Sequence, residues 1–101
     1  MDVYYVELFD YYGELFTDKQ KEYFIDYCFN NLTLQEIADN NNVSRNAIHD
    51  QLKKVISSLD YYEEKLGLLN KEKKLNILLD EYAKSNNKEV LDLINKIKNM
   101  E

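Results

Sequence analysis

The chain contains no proline and only two glycines, Gly13 and Gly67, in 101 residues. Helix-breaking residues are almost absent, so helices joined by short turns are the expected architecture. A single cysteine, Cys28, excludes an internal disulfide and a cysteine-built metal cage. A single histidine, His49, cannot form a metal site with a spaced partner. No apolar run is long enough to span a membrane, and the opening MDVYYVELFDYY has acids where a secretion signal needs basic residues. A cytoplasmic protein with no membrane partner is therefore expected. No nucleophile–base pair, glycine-rich phosphate loop or ligand cluster stands out, so neither an enzyme nor a cofactor is expected. Also missing is a surplus of positive charge. The formal net charge is −6, which opposes binding to polyanions.

The composition is 45% hydrophobic and 32% charged, ordinary for a soluble, foldable chain. Its length suits one compact domain over residues 1–101. Nine tyrosines let a small domain bury large rings while their hydroxyls stay wet. The charge is segregated along the chain. Residues 1–39 hold nine acids against Lys19 and Lys21, residues 40–66 balance four against four, and residues 67–101 carry seven lysines against six acids.

Helical periodicity runs throughout. Tyr5, Leu8, Phe9 and Tyr12 form one apolar stripe, which Gly13 is expected to stop by taking positive φ. TDKQ at Thr17–Gln20 has capping-box spacing and opens a helix to about Phe29, with Phe24, Tyr27 and Cys28 inward. Asn30-Asn31 breaks it. TLQE at Thr33–Glu36 is a second capping box, with Leu34, Ile37 and Ala38 inward, and the asparagines at 40–42 form a turn. Val43 is expected as a buried plug. Ser44 caps a helix that runs from Arg45 to about Leu66 and stops at Gly67. Two more helices carry Leu75, Leu78, Leu79 and Tyr82, then Val90, Leu91, Ile94 and Ile97, the latter behind a capping-box spacing at Asn86 and Glu89. The expected fold is all-α, about six helices in a single domain. Its helix-turn-helix core occupies 17–66 and a carboxyl-terminal helical pair 69–101.

LTLQEIADNNNVSRNAIHDQLKKV at residues 32–55 has the parts of a helix-turn-helix: two capped helices, a tight turn, and one exposed face on the second helix. At about 100° per residue, Ile48, Leu52, Val55 and Leu59 share one inward stripe. Asn46, His49, Asp50, Lys53 and Ser57 lie opposite, with Arg45 and Lys54 at the margins. Asn can pair with adenine, Arg with guanine, and Lys with phosphate or guanine. Three cations near this face are few for a strong DNA binder, and Lys19 and Lys21 are candidates to supplement them.

The order LFTDKQKEYFIDYCFNNLTLQEIADNNNVSRNAIHDQLKKV resembles the fourth region of bacterial sigma factors, which reads promoter DNA. The whole chain is more similar to the YlxM family of small bacterial helix-turn-helix proteins. FDYYGELFTDKQKEYF, LTLQEIA, NVSRNAIHDQLKK and LDYYEEKLGL carry that resemblance across residues 9–68. Members are encoded beside genes of the signal recognition particle, so the resemblance implies a part in that protein-targeting pathway. It implies no catalytic residue. It puts Ser44, Arg45, Asn46, His49 and Lys53 where a sigma-like recognition helix presents its contacts.

Other residues read more plainly. Cys28 is a small core residue, Glu63 and Glu64 are a solvated face, and Tyr61-Tyr62 suits core or dimer packing. The long fourth helix and the carboxyl-terminal stripes leave surplus apolar surface, from which a homodimer is expected. Two functions stay open. One is a regulatory or accessory helix-turn-helix protein binding DNA or signal recognition particle RNA through Ser44, Arg45, Asn46, His49, Lys53 and Lys54. The other is an interaction module that docks on a particle protein through its acidic helices.

Overall fold

A computed structural model describes residues 3–100. Over these residues the chain forms α1 (Val3–Tyr12), a one-turn 3-10 helix (Gly13–Leu15), α2 (Asp18–Cys28), α3 (Leu34–Asn41), α4 (Arg45–Leu66), α5 (Leu68–Tyr82) and α6 (Lys88–Lys98). The all-α expectation holds, with six α-helices and no strand among the described residues. The helices fall into two compact units, Met1–Gly67 and Leu68–Glu101.

In the first unit α4 is the common support, since α1, α2 and α3 each pack on it. Its 22 residues make a rod of about 33 Å. The inward stripe follows the sequence pattern: Ile48, Val55 and Leu59 are fully buried and Leu52 nearly so. Ile37 and Ala38 of α3, Phe24 of α2 and Leu8 of α1 complete the core. Each of the larger side chains contributes about 1.5–3 kcal/mol through burial, and the Ala38 methyl about 1 kcal/mol or less. Side-chain bonds join α1 to the carboxyl-terminal half of α4. Tyr5 Oη donates to Asp60 Oδ2 at 3.1 Å, and Tyr12 Oη donates to Glu63 Oε1 at 2.8 Å. Aromatic contacts seal this end: Phe9 stacks on Phe24 with centroids 4.2 Å apart, and Tyr62 meets Tyr12 at 5.8 Å and Phe16 at 6.0 Å.

Several local expectations are corrected. Gly13 does not take positive φ; Gly67 is the only glycine among the described residues that does. What glycine spares at Gly13 is space, because a Cβ there would lie a tight 3.2 Å from the Phe9 ring, which would have to give by a few tenths of an ångström. The chain tightens into a 3-10 turn at that point. Tyr23 is buried while Tyr27 and Cys28 are half-buried, so the inner face of α2 is turned toward Tyr23 and Phe24. Glu63 is not part of a solvated face, since it sits half-buried against the Tyr12 hydroxyl.

In the second unit α5 packs on α6, and Leu79 and Ile94 are buried. The cap of α6 is Asn87 rather than Asn86. The Asn87 Oδ1 accepts the backbone N–H groups of Glu89 at 2.9 Å and Val90 at 3.4 Å. Of the α5 stripe only Leu79 is buried, and Leu75, Leu78 and Tyr82 stay exposed. No helix among the described residues is long and apolar enough to cross a membrane.

Candidate nucleic-acid interface

The interface begins with three caps that the sequence sets in place. Thr17 Oγ1 accepts the Gln20 N–H at 3.2 Å, and Gln20 Oε1 accepts the Thr17 N–H at 3.1 Å. Thr33 and Glu36 repeat the exchange at 3.1 and 3.2 Å. Ser44 Oγ accepts the Ala47 N–H at 3.1 Å and starts α4. Between α3 and α4, Asn42 takes the left-handed conformation, φ 55, which asparagine tolerates better than most residues. The Val43 N–H then reaches the Ala38 carbonyl at 3.1 Å, closing the turn. Val43 itself is 40% exposed, so the corner is filled by Ile37, Ala38 and Ile48 rather than by the expected valine plug.

This geometry fixes the outward face of α4. Ser44, Arg45, Asn46, His49, Asp50, Lys53, Lys54 and Ser57 are all exposed, as their spacing predicts. His49 and Asp50 are adjacent, with Nδ1 3.6 Å from Oδ1. Grooves flank the helix. One, of about 480 Å³, runs between the start of α2 and the first turns of α4, lined by Thr17, Lys19, Gln20, Tyr23, Gln51 and Lys54. A second, of about 430 Å³, is lined by Tyr27, Leu34, His49, Leu52, Lys53 and Ile56, and a third, of about 560 Å³, by Gln20, Asp50, Lys53, Lys54, Ser57 and Ser58.

The distribution of charge is uneven in an informative way. Lys19 pairs with Glu22 at 3.4 Å and bonds Asn41 Oδ1 at 3.2 Å, so it reinforces the turn. Lys21 pairs with Glu14 at 3.1 Å, and Lys65 lies 5.6 Å from the Tyr61 ring centroid. Among the described residues of the first unit, Arg45, Lys53 and Lys54 are the cations left without such a partner. All three are exposed on α4, Lys53 on its outward face and Arg45 and Lys54 at its two margins. An acidic unit thus keeps its unpaired positive charge on one helix.

A family model described as "Putative helix-turn-helix protein, YlxM / p13 like" (UPF0122) matches residues 2–100. The chain belongs to this family. A UPF0122 protein of Malacoplasma penetrans is 56% identical over 62 residues, covering 61% of this chain and 58% of its own length. One from Thermoanaerobacter is 43% identical over 77 residues, 76% of this chain and 66% of its own. One from Listeria welshimeri is 42% identical over 100 residues, 93% of this chain and 91% of its own. The chain therefore spans less than two thirds of the first two relatives' lengths.

Within this UPF0122 chain the sequence located the outward residues but missed the elements beside them. Gln51 accepts a bond from Gln20 Nε2 at 3.4 Å and ties α2 to α4 next to Lys54. Tyr27 and Leu34 line the groove beside His49 and Lys53. Only packing brings those residues together. Cys28 lines none of these grooves, and burial pushes its thiol up to about 11, the opposite of a reactive cysteine.

Proposed function

We propose that the first unit binds duplex DNA with α4 as the recognition helix, and that the protein acts as a regulatory or accessory factor. Arg45, Asn46, His49, Lys53 and Lys54 would meet the nucleic acid, with Ser44 presenting the helix start to a phosphate. The observation carrying this reading is that the unpaired cations of the unit, Arg45, Lys53 and Lys54, are all exposed on α4, with Lys53 on the outward face and the other two at its margins. An exposed helix fits the major groove of B-form DNA, whereas the A-form groove of duplex RNA is too narrow. The resemblance to YlxM proteins extends the proposal to the signal recognition particle pathway, whose RNA is the second nucleic acid to test. The acidic residues 1–39 support a competing reading, docking on a basic protein of that particle.

The test is a titration of the full chain against promoter DNA, particle RNA and the particle protein at low and physiological salt. Three phosphate contacts give a log–log salt slope of about −2.7, so affinity falls roughly 40-fold between about 50 and 200 mM salt. Replacing Arg45, Lys53 and Lys54 by alanine should flatten that slope. Binding to DNA that ignores these substitutions sinks the reading. Binding confined to the particle protein favours the docking alternative.

A further inference from the structure

The second unit carries an apolar stripe that its own packing leaves open. On α5, Leu75, Leu78 and Tyr82 are 45%, 50% and 59% exposed, while Leu79 is 7% exposed. The spacing of the exposed three is three residues and then four, the seam of paired helices, and Leu68 extends it one heptad earlier. Lys74 and Glu81 flank the stripe exactly one heptad apart on its same side. Both are exposed, and neither is in an ion pair among the described residues.

We propose that this stripe pairs with α5 of a second copy of the chain, antiparallel, about a two-fold axis at Leu78. In that register Leu78 packs on Leu78 of the second copy, and Leu75 packs on its Tyr82. Lys74 then lies beside Glu81 of the second copy, and the two-fold axis repeats every contact, as an isologous interface requires. A parallel pairing fails this test, because flanking positions would then set Lys74 against Leu79 rather than an acid. The wider charge agrees. Residues 68–101 hold seven lysines and six acids, so two copies meet through this unit with almost no net repulsion, unlike residues 1–39. Two helices of 15 residues, about 22 Å each, bury less than the roughly 800 Å² per partner of a standard interface. The dimer is accordingly in the micromolar range. It does not depend on the α4 face having a nucleic-acid ligand.

Sedimentation velocity of the full chain from about 1 to 500 µM tests it, since dimer population must rise with concentration. Leu78→Lys, at a half-exposed site and checked for retained helix by circular dichroism, should weaken the dimer by about thirtyfold or more. Lys74→Glu should weaken it by about fivefold, and Lys74→Glu combined with Glu81→Lys should restore it to within about twofold. A chain monomeric over the whole range, or a dimer indifferent to Leu78→Lys, overturns the proposal. A dimer sensitive to Leu78→Lys but not to the charge swap overturns the antiparallel register.

Discussion

Tyr12→Phe removes one oxygen and leaves the ring in place against Tyr62. The lost bond is short, 2.8 Å, and its acceptor is a half-buried carboxylate. Hydrogen bonds to charged groups are worth about 1.5–3 kcal/mol, and partial solvent access to Glu63 holds this one near the lower limit. The expected loss is about 1.5 kcal/mol, which lowers Tm by about 6–12 °C in a domain of this size. Tyr5→Phe is the internal control. Its bond to Asp60 is 3.1 Å and exposed, so its loss should stay below about 0.5 kcal/mol. Urea denaturation of the parent, Tyr12→Phe, Glu63→Gln and the double variant closes a cycle with a coupling near 1 kcal/mol. If Tyr12→Phe costs no more than Tyr5→Phe, or the cycle shows no coupling, the account of how α1 is held to α4 is wrong.

Two further predictions concern positions of backbone and burial. Gly67→Ala should cost about 1–2 kcal/mol, read by thermal melting, because φ is 62 while the nearest atom to a new Cβ is a tolerable 3.8 Å away. Gly67→Asn should recover part of that loss, whereas any cost of Gly13→Ala should come from the Phe9 ring and vanish when Phe9 is also shortened to leucine. Cys28, raised from 9.0 to about 11 by burial, should present roughly a hundredfold less thiolate at pH 8 than the unfolded chain. Its contribution to stability is fully present below pH 9.0 and is lost as the pH rises through about 11. Alkylation of native protein should therefore be slow and rise about tenfold per pH unit up to that value; labelling at pH 8 as fast as in denaturant would refute the burial argument.

Local signals were the legible ones. Thr17 with Gln20, Thr33 with Glu36, and Ser44 declare helix starts through spacings of three residues, and each forms the expected bond. The α4 stripe was legible because a 22-residue helix repeats its period often enough to fix both its inward and outward faces. Val43, Gly13 and Glu63 were misread for a common reason. What each touches depends on a neighbour distant in sequence or on how a ring sits, and no periodicity carries that. Asn86 lost the cap to Asn87 because two adjacent asparagines offer the same chemistry, and the approach of the chain selects between them. The grooves beside α4 were invisible because Gln20, Tyr27 and Leu34 reach it only after packing.

Since α4 carries the core on one side and the candidate contacts on the other, the two sides answer to different constraints. Ile48, Leu52, Val55 and Leu59 are buried in the core that α4 shares with three other helices, so a change at any of them disturbs the packing of the unit. Asn46, Lys53 and Ser57 are exposed, and their side chains make no hydrogen bond or ion pair among the described residues. Such a helix can exchange its outward letters one at a time while its frame stays intact. A lineage of these proteins is therefore free to acquire new ligands without inventing a new fold.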